Sequence, residues 1–199
     1  MDQPANSRTV LKKLALELLI RNGYRGMSFG EIAERGGTTR ANLHYHFGSK
    51  ARLIDEVLAD YVDETLRQLR AIWEPSDTLL SVKVAAMLDY SRARYRSFNP
   101  TSHTANPWSL ISRLRQDEDM LTAAGRANLR RFTAEISRLF LSAAKNAARS
   151  REIRGRATPQ AIATLLVAIA DNAAPITMAG GLASLEAAYQ AVLVLATTA

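Results

Sequence analysis

A stretch of small and polar residues from Thr38 to Lys50 has the side chains and spacing needed to read the edges of DNA base pairs. If this stretch is a helix with Leu43 facing inward, a turn of about 100° per residue also brings Phe47 inward and leaves Tyr45 on the opposite face. Arginine binds guanine or phosphate, asparagine pairs with adenine, and alanine permits close approach. The predicted DNA contacts are Ser28, Thr38, Thr39, Arg40, Ala41, Asn42, His44, Tyr45 and Lys50.

Two short helices joined by a tight turn would have to position this face. Ser28 and Glu31 have the spacing of a capping box that starts the first helix, and Thr39 is expected to cap the second. A helix-turn-helix also needs an aliphatic and a small residue on its first helix, a glycine at the turn and an aliphatic residue on its second helix, here Ile32, Ala33, Gly37 and Leu43. Ser28, Thr39 and Lys50 stand at helix starts, where they can bind phosphate together with backbone amides.

A longer pattern surrounds these helices: ALELLIRNGYRGMSFGEIAERGG is followed by TTRANLHYHFGSKARLIDEVL. Its most specific part, ahead of a long fourth helix, consists of Leu43, His46, Phe47, Ser49, Lys50 and Leu53. The span from about Arg8 to Leu58 thereby resembles the DNA-binding domain of the tetracycline-repressor-like (TetR) family of bacterial regulators. Three residues depart from the family pattern, namely Gly36 in place of alanine, Thr38 in place of an aliphatic residue and His44 in place of tyrosine. The first two are expected to loosen the turn.

The resemblance implies an organisation and a function. Residues 1–52 would form the DNA-binding domain, and residues 53–199 a helical ligand-binding and dimerisation domain. The last two helices of each subunit would form a four-helix interface. The implied protein is a homodimeric, ligand-responsive transcriptional regulator, most often a repressor. Its implied partners are a near-palindromic DNA operator, bound through residues 39–47, a second copy of the chain and a small-molecule effector.

The whole chain has helical periodicity without an alternating strand pattern, which predicts an all-α fold of about nine helices. The first helix is expected to end at Gly23, and the fourth to run from Lys50 to about Trp73. A fifth helix is predicted to begin at a Ser76 or Asp77 cap and to end at Asn99-Pro100. Later helices are predicted to start at Asn106-Pro107 and at Thr158-Pro159, and a long helix to span about 118–149. Gly180-Gly181 should separate two final helices over about 159–173 and 183–197.

Two further sets of residues are predicted in the C-terminal part. An effector cavity would be lined by Met87, Tyr90, Trp108, Ile111, Phe132, Ile136, Asn172 and Met178, although most of these fit a packed core equally well and Asn172 could instead cap a helix. The last two helices are apolar over more than one face, so a partner could cover Ile162, Leu165, Leu166, Ile169, Leu185, Tyr189 and Val192. A single larger core is the alternative.

Composition excludes several other classes. The chain of 199 residues has no cysteine, so disulfide frameworks and thiolate chemistry are absent. His44 and His46 would lie about 200° apart on a helix and cannot share a metal ion, and His103 is remote in sequence, so neither metal nor cofactor is expected. The N-terminus lacks a signal-peptide core, and the longest apolar run, residues 162–170, is too short for a bilayer. A cytoplasmic protein without membrane contact is expected.

The net charge is +7, from 26 basic and 19 acidic residues, and more than half of it lies in the first 50 residues. This placement favours a nucleic-acid partner. An architectural DNA-binding protein with little sequence preference is the alternative to a regulator. An enzyme is not expected because no phosphate-binding loop, metal cluster or nucleophile elbow is present. The later arginines could form a second nucleic-acid patch or a solvated helix end and loop: Arg92, Arg94, Arg96, Arg149, Arg151, Arg154 and Arg156.

Overall fold

A computed structural model describes residues 8–101, 106–154 and 157–197. Within these ranges the chain forms nine α-helices and one short 3-10 helix, without a strand, which confirms the all-α prediction. The α-helices are α1 (Arg8–Gly26), α2 (Phe29–Arg35), α3 (Arg40–Phe47), α4 (Lys50–Trp73), α5 (Leu80–Phe98), α6 (Leu110–Gln116), α7 (Ala123–Arg149), α8 (Pro159–Asp171) and α9 (Ala173–Thr197). The 3-10 helix is Glu118–Met120. Arg156 and His103 lie outside the described residues.

The described chain divides into two compact units. The first contains the residues up to Asp63 together with Ser109–Leu129, and the second contains Glu64–Trp108 and the residues from Arg130 onward. Helices α1, α2, α3 and α6 therefore belong wholly to the first unit, and α5, α8 and α9 to the second. The functional boundary expected after residue 52 stays a prediction.

The N-terminal helices follow the sequence prediction, except that α1 continues beyond Gly23 to Gly26. Gly23 interrupts α1 with a φ of 72°, a conformation that glycine adopts without a steric penalty. The Ser28 hydroxyl accepts a hydrogen bond from the Glu31 amide at 3.1 Å. The Glu31 carboxylate does not complete the capping box by reaching back, because it accepts a hydrogen bond from Arg35. Gly37 closes the turn with a φ of 59°.

Helix α5 begins in a way that the sequence did not predict. Neither Ser76 nor Asp77 caps it, and Leu79 at its N-cap position supplies no side-chain hydrogen bond. The carboxylate of Glu152 instead accepts hydrogen bonds from the Leu80 amide at 2.8 Å and the Ser81 amide at 3.1 Å. A carboxylate at this end also faces the positive end of the helix dipole. The first amides of α5 are thus satisfied by a residue about 70 positions later in the chain.

The end of α4 is capped across the chain in the same manner. The ammonium group of Lys83, only 2% exposed, donates to the carbonyl oxygens of Trp73 at 3.0 Å, Pro75 at 2.6 Å and Ile72 at 3.3 Å. Carbonyl groups at a helix C-terminus have no partner within the helix and attract a cation. Burial lowers the pKa of Lys83, and the negative charge of Asp77 acts in the opposite direction.

Two other predicted boundaries are wrong. No helix starts at Asn106-Pro107, because the Asn106 side chain donates to the Phe98 carbonyl at the end of α5 and Ser109 caps α6 instead. The helix expected from about residue 118 starts at Ala123, where the Thr122 hydroxyl accepts a hydrogen bond from the Gly125 amide at 3.1 Å. In both places a local hydrogen bond of a neighbouring residue determined the boundary.

The two C-terminal helices are predicted correctly except for one segment. Thr158 caps α8 through the Ala161 amide, with Pro159 in the first turn. The chain then continues in helical conformation from Ala173, a segment that the sequence prediction omitted, until Gly180 and Gly181 leave helical geometry, with a φ of 69° at Gly181. By length and composition alone, α9 is apolar enough to cross a membrane, although the glycine pair interrupts it.

We expect Glu152→Gln to lower the free energy of unfolding by about 1–2 kcal/mol, because the amide replaces one capping oxygen by a donor that faces other donors. Urea denaturation monitored by circular dichroism measures the change. The matched control is Glu118→Gln, which neutralises an exposed glutamate of the 3-10 helix. An equal loss of stability in the two variants would mean that the capping hydrogen bonds contribute nothing measurable.

Candidate nucleic-acid interface

Helix α3 presents one exposed face that is held in place by the buried residues on its other side. Leu43 is fully buried and Phe47 is 2% exposed, whereas the Tyr45 side chain is 85% exposed. Arg40, Ala41 and His44 are exposed as well. The structure therefore brings together, on one accessible face, four of the residues predicted to read DNA.

Hydroxyl groups cap the start of α3 and the helices on either side of it. The Thr39 hydroxyl accepts from the Asn42 amide at 3.1 Å, and the Ser49 hydroxyl accepts from the Arg52 amide at 3.2 Å at the start of α4. Ser28 has the same role at α2. A hydroxyl that accepts in a cap still has its hydrogen to donate. Ser28 and Thr39 thus remain able to donate to a phosphate oxygen without leaving their capping positions.

The turn between α2 and α3 is braced rather than loosened by the unusual residues of this chain. The Thr38 hydroxyl accepts a hydrogen bond from the Asn42 side-chain amide at 2.9 Å, and the Thr38 backbone amide donates to the Ala33 carbonyl at 2.9 Å. Gly36 has leucine side chains of α1 packed close to the place that a Cβ would occupy. The Asn42 side chain keeps its carbonyl oxygen and one N–H for a base edge.

His44 differs from the tyrosine that is usual at its position, and the structure gives it a defined orientation. Its Nδ1 lies 3.0 Å from the Gly48 carbonyl oxygen, and its ring meets the Phe29 ring edge to face at 4.9 Å. A carbonyl oxygen can only accept, so Nδ1 must carry the hydrogen. In its neutral form His44 then keeps Nε2 as a hydrogen-bond acceptor.

Half of the basic residues in the first 50 positions are held by partners within the first unit. Arg8 and Lys12 pair with Glu56 and Asp60 of α4, Arg25 pairs with Asp117 and Asp119, and Arg35 pairs with Glu31. Within the part of the chain that the structure describes, Arg40 has no acidic side chain within ion-pairing distance. The four remaining basic residues are Lys13 and Arg21 on α1, Arg40 at the start of α3 and Lys50 at the start of α4, so Arg40 is the one that α3 itself offers to an anionic partner.

Lys50, at the first position of α4, is oriented by an aromatic ring. Its ammonium nitrogen lies 4.8 Å from the centroid of the Tyr24 ring, a cation–π distance. Partial burial lowers the pKa of Lys50, and the nearby carboxylate of Asp117 raises it. The Asp117 carboxylate also accepts from the Tyr24 amide at 2.8 Å, directly after the Gly23 break in α1. These contacts link Lys50 to the end of α1 and to the segment after α6.

One residue of this region was missed by the sequence prediction. A Cβ placed on Gly30 of α2 would lie 2.5 Å from a terminal nitrogen of the Arg40 guanidinium group. Arg40 therefore lies against the bare backbone of the preceding helix. One signal in the sequence could have identified this residue: Gly30 lies inside a predicted helix, where alanine would give a more stable helix.

The predicted effector residues are divided between the two units. Ile111 lies in the first unit, and the other seven lie in the second. Within the second unit Met87, Phe132 and Ile136 are buried, as is Trp108, whose indole N–H donates to the Thr177 hydroxyl at 2.7 Å. Three predicted residues of the second unit are not buried: Tyr90 is half-buried, and Met178 and Asn172 are exposed. Asn172 caps α8, and its side chain donates to the Ala168 carbonyl.

The predicted interface residues of α8 and α9 also separate into two groups. Five of them are at most 2% exposed and form part of the core of their own subunit, so they cannot form its surface: Ile162, Leu166, Leu185, Tyr189 and Val192. Leu165 is 39% exposed and Ile169 is half-buried. The helical period had identified apolar positions correctly, but both faces of these helices are apolar, so it did not distinguish the inner face from the outer one.

The outer faces of α8 and α9 carry small and apolar residues without charge. They consist of Ala161, Leu165 and Ala168 on α8, and of Ala183, Ala187, Ala191, Val194 and Leu195 on α9, all of them exposed. We call this surface the outer stripe. The two acidic residues of these helices, Asp171 and Glu186, lie outside it, and Glu186 pairs with Arg92 at 2.6 Å. Such a surface is typical of a place where another helix pair packs.

Comparison with known proteins identifies the class to which this helix-turn-helix belongs. Residues 12–57 match the family model described as bacterial regulatory proteins, tetR family. The transcriptional repressor KstR2 of Rhodococcus jostii is 32% identical over 98 residues, which are 49% of this chain and 42% of that repressor. The chain therefore spans less than half the length of this relative.

Solved structures extend the likeness to the whole fold. A TetR-family regulator from Agrobacterium tumefaciens has a TM-score of 0.81 at 19% identity, with 94% of this chain and 96% of that chain covered. The structure of AibR in complex with isovaleryl coenzyme A and operator DNA has a TM-score of 0.67 at 17% identity, with coverages of 95% and 97%. Residues 12–57 thus match the tetR family model, and the fold of the whole chain is similar to the folds of these solved regulators.

Proposed function

We propose that this chain is a homodimeric, ligand-responsive transcriptional regulator that represses by binding a near-palindromic operator through residues 39–47. The observation that carries the proposal is the exposed face of α3, where Tyr45 projects from a helix fixed by buried Leu43 and Phe47. Arg40 on the same face has no acidic partner among the described residues. A recognition helix of this kind enters the major groove, where each base pair has a distinct pattern of donors and acceptors.

The names of related proteins support the regulatory part of the proposal. The matching proteins from Rhodococcus jostii and Mycolicibacterium smegmatis are transcriptional repressors. AibR, which has a similar fold, was solved with both a small molecule and operator DNA bound. By analogy, an effector bound in the second unit of this chain would shift the dimer to a state that binds its operator less tightly.

The outer stripe supports a dimer. Two copies that pack their outer stripes together would bury small residues against one another and form a four-helix interface. The two-fold axis of such a dimer relates its two recognition helices, and this symmetry matches that of a near-palindromic site. We further propose that the protein is cytoplasmic and that it acts by binding alone, without catalysis or a resident cofactor.

We expect Arg40→Ala to weaken binding to a duplex selected by the wild-type protein from a random-sequence pool by about 10- to 100-fold, because a bidentate contact to guanine contributes about 1–3 kcal/mol of discrimination. Fluorescence anisotropy at several salt concentrations measures the loss. Binding of the unselected pool should change far less.

The matched control is Arg35→Ala, which removes the same charge from a side chain already paired with Glu31 at 2.9 Å. It should leave binding of the selected duplex nearly unchanged. An equal loss in both variants, or a wild-type preference for the selected duplex that disappears as salt rises, would favour the architectural alternative.

We expect Leu165→Asp to dissociate the dimer, with a rise in the dimer dissociation constant on the order of 100-fold or more, because it buries a carboxylate in an uncharged interface. Sedimentation velocity over a range of concentrations measures the association. Val82→Asp is the control, since Val82 is also an exposed apolar residue, 52% exposed, but lies on α5. Dissociation by both variants, or by neither, would contradict the interface assigned to the outer stripe.

A further inference from the structure

Two buried hydroxyl groups in the second unit have no hydrogen-bond partner among the described residues. They belong to Ser91 on α5, which is 1% exposed, and to Tyr189 on α9, which is fully buried. Buried polar groups are almost always paired, and an unpaired one destabilises the fold unless it has a role. Two of them on neighbouring helices therefore require an explanation.

Two hydrogen bonds join α9 to α5 and to the segment that follows α5. Near the start of α9, Thr177 bonds to Trp108, which follows the end of α5. Nine residues later, Glu186 bonds to Arg92, well inside α5. The contact between Arg92 and Glu186 fixes the local register of the two helices.

This register brings the two hydroxyl groups to about the same level. Ser91 immediately precedes Arg92, and Tyr189 lies one turn after Glu186, which displaces its Cα by about 4.5 Å along the axis. Long helical side chains lean back toward the N-terminus of their helix, so the Tyr189 ring leans toward the level of Arg92 and Ser91. Both residues also belong to the buried stripes of their helices.

Among the described residues, the charged side chains that flank Ser91 on α5 are already engaged, including Arg94, which donates to the Trp108 carbonyl oxygen at 3.3 Å. The nearby Arg92 is held by Glu186 and Asp89, and the buried ammonium of Lys83 is held by three carbonyl groups. Burial raises the pKa of the Tyr189 phenol, so the group stays neutral and can both donate and accept. The neighbouring positions of the two buried stripes are apolar, namely Val84, Met87, Leu88, Leu185 and Val192.

We infer that Ser91 and Tyr189 form the polar end of the effector site and that the effector is an uncharged, largely apolar molecule with one hydrogen-bonding oxygen, such as a ketone or an alcohol. This inference rests on the proposed function, because it names the chemistry of that effector. A carboxylate or an ammonium ion would lose its hydration here without gaining a counter-ion. A neutral oxygen, in contrast, satisfies both hydroxyl groups.

The test uses three nine-carbon probes that differ only in their polar group: 2-nonanone, 1-nonanol and nonanoate. The full-length protein should bind the ketone and the alcohol and should bind nonanoate at least about tenfold more weakly, as measured by calorimetry and by thermal shift. Tyr189→Phe should weaken binding of the neutral probes about fivefold or more, and Ser91→Ala should act in the same direction.

Unliganded Tyr189→Phe should also melt at a higher temperature than wild type, because it removes a buried unpaired hydroxyl group. Tyr61→Phe, in the first unit, is the control and should leave probe binding unchanged. No binding of either neutral probe, equal binding of nonanoate, or a lower melting temperature for Tyr189→Phe would overturn the inference. If the neutral probes bind through Tyr189 but do not release selected DNA, the site stands and the proposed regulation fails.

An independent observation concerns how Arg40 is held before it meets DNA. Its guanidinium group lies where a Cβ of residue 30 would be, at 2.5 Å from a terminal nitrogen, 3.0 Å from Nε and 3.1 Å from Cζ. The planar group thus lies against the backbone of α2. Any side chain at residue 30 would displace it, and because Arg40 is long and exposed, the displacement would leave the fold intact.

We propose that Gly30 is a positioning residue for operator recognition, since its lack of a side chain sets the direction in which Arg40 leaves α3. Gly30→Ala should weaken binding of the duplex selected by wild type about fivefold or more. Its resistance to urea should be equal or higher, because alanine is the better helix former. A structural defect would lower both properties together.

A double-mutant cycle separates the action through Arg40 from any direct effect of the new methyl group. In an Arg40→Ala background, Gly30→Ala should have little further effect on binding of the selected duplex. An equal effect in the two backgrounds, or unchanged binding by Gly30→Ala alone, would overturn the assignment. If wild type selects no duplex from the pool, the proposed function itself fails, which is a distinguishable result.

Discussion

Burial of Leu43 and Phe47 is the constraint on which the candidate interface depends. These two side chains fix the rotation of α3 about its own axis, and the opposite face must then carry Ala41 and Tyr45. The caps at Thr39 and Ser49 fix where the helix begins and where the next one starts. Exposed polar residues alone would be mobile, so it is the apolar side of α3 that gives its polar side a defined geometry.

The local features of the N-terminal unit could be predicted from the sequence because they depend on residues a few positions apart. The cap at Ser28, the break at Gly23 and the turn at Gly37 all involve such short-range geometry. The Thr38 to Asn42 hydrogen bond and the place of Gly30 beside Arg40 were missed. The contact of Arg40 with Gly30 depends on how α2 and α3 pack, which the spacing of residues along one helix does not specify, whereas the Thr38 to Asn42 hydrogen bond depends on the rotamers of the two side chains.

The second unit shows where such prediction fails. Two of its helix ends are satisfied by distant groups: Glu152 caps the start of α5, and Lys83 caps the end of α4. Neither residue has a local pattern that indicates its role, since a single glutamate or lysine in a sequence is usually a solvated surface residue. Likewise, the period of α9 marked Tyr189 as apolar-facing but could not say whether the subunit or a partner covers it.

The absence of charge from the outer stripe has a consequence for partner choice. Interfaces that must discriminate between similar chains commonly use charge pairs that repel the wrong partner. The described outer stripe consists of alanine, valine and leucine. It can therefore discriminate between partner chains only by the steric fit of closely packed helices. In the proposed dimer, a related chain with alanines at the same helical spacing would meet no electrostatic barrier, so mixed dimers with such a chain would be open to it.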